Sequence, residues 1–71
     1  MAAQQTETGT DELLCSVDGG IGTITLNRPE RRNALSDTLT PAFRQSLLDL
    51  EAEPDVRVVI VTGAGTAFCA G

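Results

Sequence analysis

The stretch VVIVTGAGTAFCAG, from Val58 to Gly71, runs β-branched residues into a glycine-rich turn. A strand that enters such a turn can hold a phosphate on its backbone N–H groups, or polarise a carbonyl with them. The common nucleotide patterns fail here. G-x-G-x-x-G starting at Gly63 needs a glycine where Phe68 stands, and T-G-x-x-x-G-x-G needs glycines where Ala67 and Cys69 stand. A P-loop needs Gly-Lys-Ser/Thr, and the chain has no lysine. Upstream, NRPERRNALS (27–36) sets Arg28, Arg31 and Arg32 in one loop, and guanidinium forks match phosphate oxygens. Cys69 has no histidine partner anywhere in the chain, so it reads as packing and not as a nucleophile. Two cysteines without histidine are too few ligands for a zinc site, and no metal is expected.

These two loops need elements to carry them. LLCSV (13–17) and IGTITL (21–26) flank Asp18-Gly19-Gly20, the signature of a β-hairpin. In the second run Ile24 and Leu26 share one face, with Thr23 and Thr25 on the other. Pro29 breaks the pattern and pushes Arg28 to extended geometry. SDTLTPAFRQSLLDLEAE (36–53) puts Leu39, Phe43, Leu47 and Leu50 on one helical face. Ser36 is a plausible N-cap, and Thr40 would seat Pro41 at the first helical position. The spacing favours a helix over about 37–52, ended by Pro54. VRVVIVT (56–62) is nearly continuous in apolar residues, the mark of a strand buried on both faces. A helix between two strands implies a right-handed crossover and parallel pairing of 21–26 with 57–62. Leu26, Leu39, Phe43, Leu47, Leu50, Val59 and Val61 are the expected core. Parallel pairing also brings the Arg28–Ser36 loop and the Ala64–Ala70 turn side by side.

The chain has 71 residues and a net charge of −5, and every cation is an arginine. That balance argues against nonspecific nucleic-acid binding. Tryptophan and tyrosine are absent and only Phe43 and Phe68 are aromatic, so no base-stacking platform is seen. Residues 1–11 read as a disordered N-terminal arm, and 12–71 as the folded part. The start is polar and acidic, unlike a signal or transit peptide, and no apolar run is long enough for a membrane span. A cytoplasmic protein is expected. Cys15 and Cys69 read as two reduced buried thiols, with a disulfide between them left open by the sequence.

Taken together, LNRPERRNALS before the helix and VVIVTGAGTAFCAG after the next strand resemble the enoyl-CoA hydratase/isomerase (crotonase) superfamily, from about Leu13 to Gly71. The resemblance implies an α/β chain that forms the first ββα unit of a crotonase-like spiral: β-hairpin, helix, parallel strand. Residues 12–71 would be the N-terminal part of that domain. It implies acyl-coenzyme A thioesters as partners, with coenzyme A as part of the substrate and no tightly bound cofactor. The positions of Ala34, Ser36 and Ala70 would lend backbone carbonyls to the adenine amino group. Arg28, Arg31 and Arg32 are candidates for the phosphates.

In that family two backbone N–H groups polarise the thioester carbonyl, and one belongs to the residue after the glycine that matches Gly71. The second donor and the acid/base carboxylates come from farther along. The resemblance therefore implies an N-terminal fragment with no catalytic residue of its own, inactive alone. The complete enzyme would hydrate 2-enoyl-CoA and assemble as a homotrimer or hexamer. Two other readings stay open: a truncated, non-catalytic protein that docks to a full-length relative, and the start of a dinucleotide-dependent oxidoreductase.

Overall fold

The computed structural model describes residues 4–70. Four strands form one sheet in chain order: β1 (Gln4–Thr6), β2 (Leu13–Asp18), β3 (Ile21–Leu26) and β4 (Val58–Gly63). One helix, α1 (Leu39–Ala52), connects β3 to β4. β2 and β3 are antiparallel and closed by Gly19-Gly20, both at positive φ (57° and 85°), as a two-residue hairpin turn requires. β3 and β4 are parallel, from Ile21 opposite Val58 to Leu26 opposite Gly63. The turn also starts the parallel pair, since the Gly20 carbonyl accepts the N–H groups of Arg57 and Val58. Hairpin, helix and parallel strand thus stand where the sequence puts them.

Two expectations need correction. The first is the disordered arm over 1–11. Gln4–Thr6 pair antiparallel with Val17–Cys15 and form the outer strand of the sheet. Residues 8–12 are laced by side chains: the Thr8 hydroxyl, with one proton to donate, lies 2.8 and 2.7 Å from the carbonyl oxygens of Thr10 and Leu13. Backbone pairing needs no apolar side chains, so a polar QQT can complete a sheet edge. Residues 1–3 of that arm lie outside the described residues.

The second is the core. Gly22, Ile24 and Leu26 of β3 are buried, and so are Leu13 and Cys15 of β2, which stand opposite Leu26 and Ile24 in the register. Leu39 and Leu50 of α1 close over them. A Cβ on Gly22 would lie 2.9 Å from Leu50, which shows how closely helix and sheet approach. Phe43 packs against this cluster but is only half-buried, and Val61 is likewise half-buried. Leu47 and Val59 are exposed. The helix lies over β2 and β3, so β4 is not covered on both faces as its apolar run suggests. The helix start is settled by Ser36. Its hydroxyl accepts the N–H groups of Leu39 (2.8 Å) and Thr38 (3.3 Å), and its carbonyl accepts that of Thr40 (3.0 Å).

No helix among the described residues is long and apolar enough to cross a membrane. Burial pushes the Cys15 thiol above its ordinary value of 9.0, opposed by a side-chain hydrogen bond from Thr6 and reinforced by the Asp49 charge. Both cysteines are free.

Candidate functional site

β3 and β4 run parallel, so the loops that leave their carboxyl ends emerge together. The first ladder bond past the strands already joins them, from the Ala64 N–H to the Leu26 carbonyl at 2.8 Å. Ligands in α/β folds favour such carboxyl ends.

The first loop is wound tightly. Pro29–Arg31 form one 3-10 turn, and the Arg28 carbonyl accepts the N–H groups of Arg31 and Asn33 at 2.9 and 2.8 Å. Arg32 and Asn33 then take left-handed backbone, with φ of 53° and 60°. For residues with a Cβ that region costs roughly 1–2 kcal/mol each, least for Asn. The cost is offset by what Asn33 does with its side chain. It is fully buried, its Oδ1 accepts the Arg28 N–H at 2.7 Å, and its Nδ2 donates to the carbonyls of Ala64 (2.9 Å) and Ala67 (2.7 Å). One amide therefore closes its own loop and clamps the second loop to it.

The glycines of the second loop serve that clamp. A Cβ on Gly63 would stand 2.7 Å from both the Ala67 carbonyl oxygen and Asn33 Nδ2, and would also meet the Phe68 carbonyl. Gly65, at φ 79°, would bring a Cβ to 3.0 Å from Pro29 Cβ. Both positions need glycine for close approach between the loops.

A polar network ties the first loop to the corner before β2. Glu12 Oε1 accepts the Ser36 hydroxyl at 2.7 Å and lies 3.4 Å from Arg28 Nε. Arg28 Nη1 donates to the Ala34 carbonyl at 2.6 Å. Asn27 donates its backbone N–H to the Glu12 carbonyl and its side-chain N–H to that of Asp11, both at 2.8 Å.

The predicted site residues divide accordingly. Arg28 is turned back along the loop between Glu12 and Ala34, its side chain 18% exposed. Arg31 and Arg32 are exposed at the loop tip. Ala34 and Ser36 are half-buried, with their carbonyls already accepting from Arg28 and from the helix. Ala70 is exposed at the far end of the second loop. Beside Ser36 a shallow, open depression is lined by Leu35, Ser36, Asp37, Thr40 and Pro41. Cys69 packs against the core. Asn33 and Glu12 are the residues that sequence reasoning left without a role. For Asn33 the available signal was its place inside NRPERRNALS; for Glu12 there was none.

Known proteins resemble this chain in sequence and fold. The family model for enoyl-CoA hydratase/isomerase matches residues 16–71. The probable enoyl-CoA hydratase EchA14 of Mycobacterium tuberculosis is 49% identical over 61 residues, which is 86% of this chain and 24% of that protein. The 1,2-epoxyphenylacetyl-CoA isomerase of Escherichia coli is 41% identical over 59 residues, 83% of this chain and 22% of the isomerase. A crystal structure of an enoyl-CoA hydratase from Mycobacterium tuberculosis superposes with a TM-score of 0.83 at 52% identity, covering 86% of this chain and 27% of the other. The chain thus spans about a quarter of the length of the relatives it matches. Loop sequence, strand topology and overall likeness agree: this chain belongs to the enoyl-CoA hydratase/isomerase family, and its fold is the crotonase-like α/β unit.

Proposed function

We propose that this chain forms the coenzyme A-binding, N-terminal portion of an enzyme acting on acyl-CoA thioesters, and that the complete protein hydrates 2-enoyl-CoA. The observation that carries the reading is the Asn33 clamp, which holds the Arg28–Ser36 and Ala64–Ala70 loops as one surface. The names of the relatives support the substrate class, since the hydratase and the isomerase both act on CoA thioesters. On this surface the carbonyls of Ala34, Ser36 and Ala70 receive the adenine amino group. The exposed guanidinium groups of Arg31 and Arg32 meet the phosphates, with Arg28 beside them. Coenzyme A enters as part of the substrate, no cofactor is held tightly, and the complete protein is a cytoplasmic homotrimer or hexamer.

The 71-residue chain by itself is inactive on this reading. Hydration needs an acid and a base on the substrate. Glu12 is engaged with Ser36 and Arg28, while Glu30 and Asp37 are exposed on the loop. The test is calorimetric titration of the chain with coenzyme A and with NAD, beside a crotonyl-CoA hydration assay. Binding of coenzyme A alone, without turnover, is expected. Preference for NAD would overturn the substrate class, and turnover by chain of verified mass would overturn the inactivity.

A further inference from the structure

Three polar contacts of the first loop, from Asn27, Arg28 and Ser36, converge on Glu12, outside both loop motifs. Its carboxylate holds the Ser36 hydroxyl on one side and stands 3.4 Å from Arg28 Nε on the other. Its backbone carbonyl anchors Asn27, the residue just before Arg28. Arg28 has two courses from its Cα: outward to solvent, or back along the loop. Its guanidinium takes the second, lies beside the Glu12 carboxylate and reaches the Ala34 carbonyl at 2.6 Å. The planar fork thus has a hydrogen bond at Nη1 and an ion pair at Nε, both drawing it back along the loop.

We propose that Glu12, acting through Arg28, is a positioning residue for the Ala34 carbonyl and so sets the recognition of the adenine amino group of coenzyme A. This rests on the reading of Ala34 as an adenine acceptor. A carbonyl oxygen has two lone pairs. A cationic donor on one of them fixes the peptide plane and leaves the other for an incoming N–H. Glu12 touches no substrate in this scheme. It holds the group that holds the acceptor.

The test compares coenzyme A with 1,N6-ethenocoenzyme A, in which the adenine amino group is blocked and the phosphates and pantetheine arm are unchanged. Calorimetric titration of the full chain is expected to show a preference for coenzyme A of roughly three- to tenfold, the worth of one hydrogen bond. Glu12→Gln keeps an oxygen for the Ser36 hydroxyl but removes the charge that holds Arg28. In that variant and in Glu12→Ala the preference should fall below about twofold, with affinity for the etheno compound unchanged. Arg28→Ala should give the same ratio, and the double variant with Glu12→Gln no further loss.

Equal weakening toward both ligands in the Glu12 variants would mark a merely structural role and overturn the proposal. So would a preference retained in the variants, or additive losses in the double variant. A wild-type chain without preference would sink the Ala34 reading itself, and the proposal with it. A ligand-free readout guards against misfolded variants: the Ala34 carbonyl carbon resonance should shift in Glu12→Gln while that of Leu26 stays in place. An unmoved Ala34 resonance would also overturn the proposal.

Discussion

Ile24 and Val59 face the same side of one sheet, a strand apart, and end in opposite surroundings. Ile24 is fully buried and Val59 is 40% exposed. The register explains it. Val59 lies beside Gly22 and Val61 beside Ile24, so all four point toward the helix side. The helix covers β2 and β3, and β4 extends past it. On the other face Val58 and Ile60 are exposed as well, next to Ile21. β3 alternates apolar and threonine residues and completes its burial with one helix. β4 is apolar on both faces and, among the described residues, finds only partial cover, at Val61 on the helix side. Strand composition thus reports how much cover a strand requires, and not whether it is met. The loops that leave these two strands show the reverse: few apolar side chains, yet a buried amide and a polar network that hold them in place.

The largest test of that contrast is Ile24→Ala, which should cost about 2–5 kcal/mol in denaturant unfolding, as large-to-small changes in a closed core do. A loss under about 1 kcal/mol would mean the core is looser than the geometry states. Asn33→Ala comes next. It strips partners from the Arg28 N–H and from the Ala64 and Ala67 carbonyls, at about 1–3 kcal/mol in all, since these groups are only part-buried. Asn33→Gly separates the amide from the backbone, because glycine takes φ near 60° freely. If the glycine variant matches wild type, the clamp is not what holds the loops.

A smaller effect concerns pH. Folding raises the Cys15 thiol above its ordinary 9.0, so the folded chain keeps its proton where the unfolded chain releases it. The contribution of Cys15 to stability should be constant below about pH 9 and be lost above it, by at most about 1.4 kcal/mol per pH unit. Cys15→Ala should abolish that slope, and an unchanged slope would assign it elsewhere. The smallest effect is expected on β4, where Val59→Thr should stay within about 0.5 kcal/mol of wild type. A larger loss would show that β4 is covered in solution.

Much of this was legible in the sequence, for identifiable reasons. Asp18-Gly19-Gly20 between two apolar runs specified the hairpin, and a helix between strands specified the parallel pair and hence the meeting of the loops. β1 was not legible, because Gln4–Thr6 are polar and their pairing with β2 runs along the backbone. Val59 and Leu47 were misplaced in the core because a continuous apolar strand and a Leu-rich helix carry no mark of which side is left uncovered. Ser36 and Thr40 were both credible caps, and only the hydroxyl geometry chose between them. Asn33 stood in plain view within its motif. Nothing in its residue type told that its amide would cross to carbonyls more than thirty positions away.

The parallel crossover also sets an order of events. β1, β2 and β3 meet their neighbours through short connections, whereas β4 reaches β3 only after the chain has passed through the loop and the whole of α1. Closing the longer loop forfeits more chain entropy before any contact repays it. The two loops are therefore expected to meet late in folding and to part early in local opening. Amide exchange at Asn33 and Ala64 should outpace that at Ile24, and a ligand spanning both loops should slow it first there. Such a ligand, bound to a surface that only the last step creates, acts on the chain as a latch on its folding.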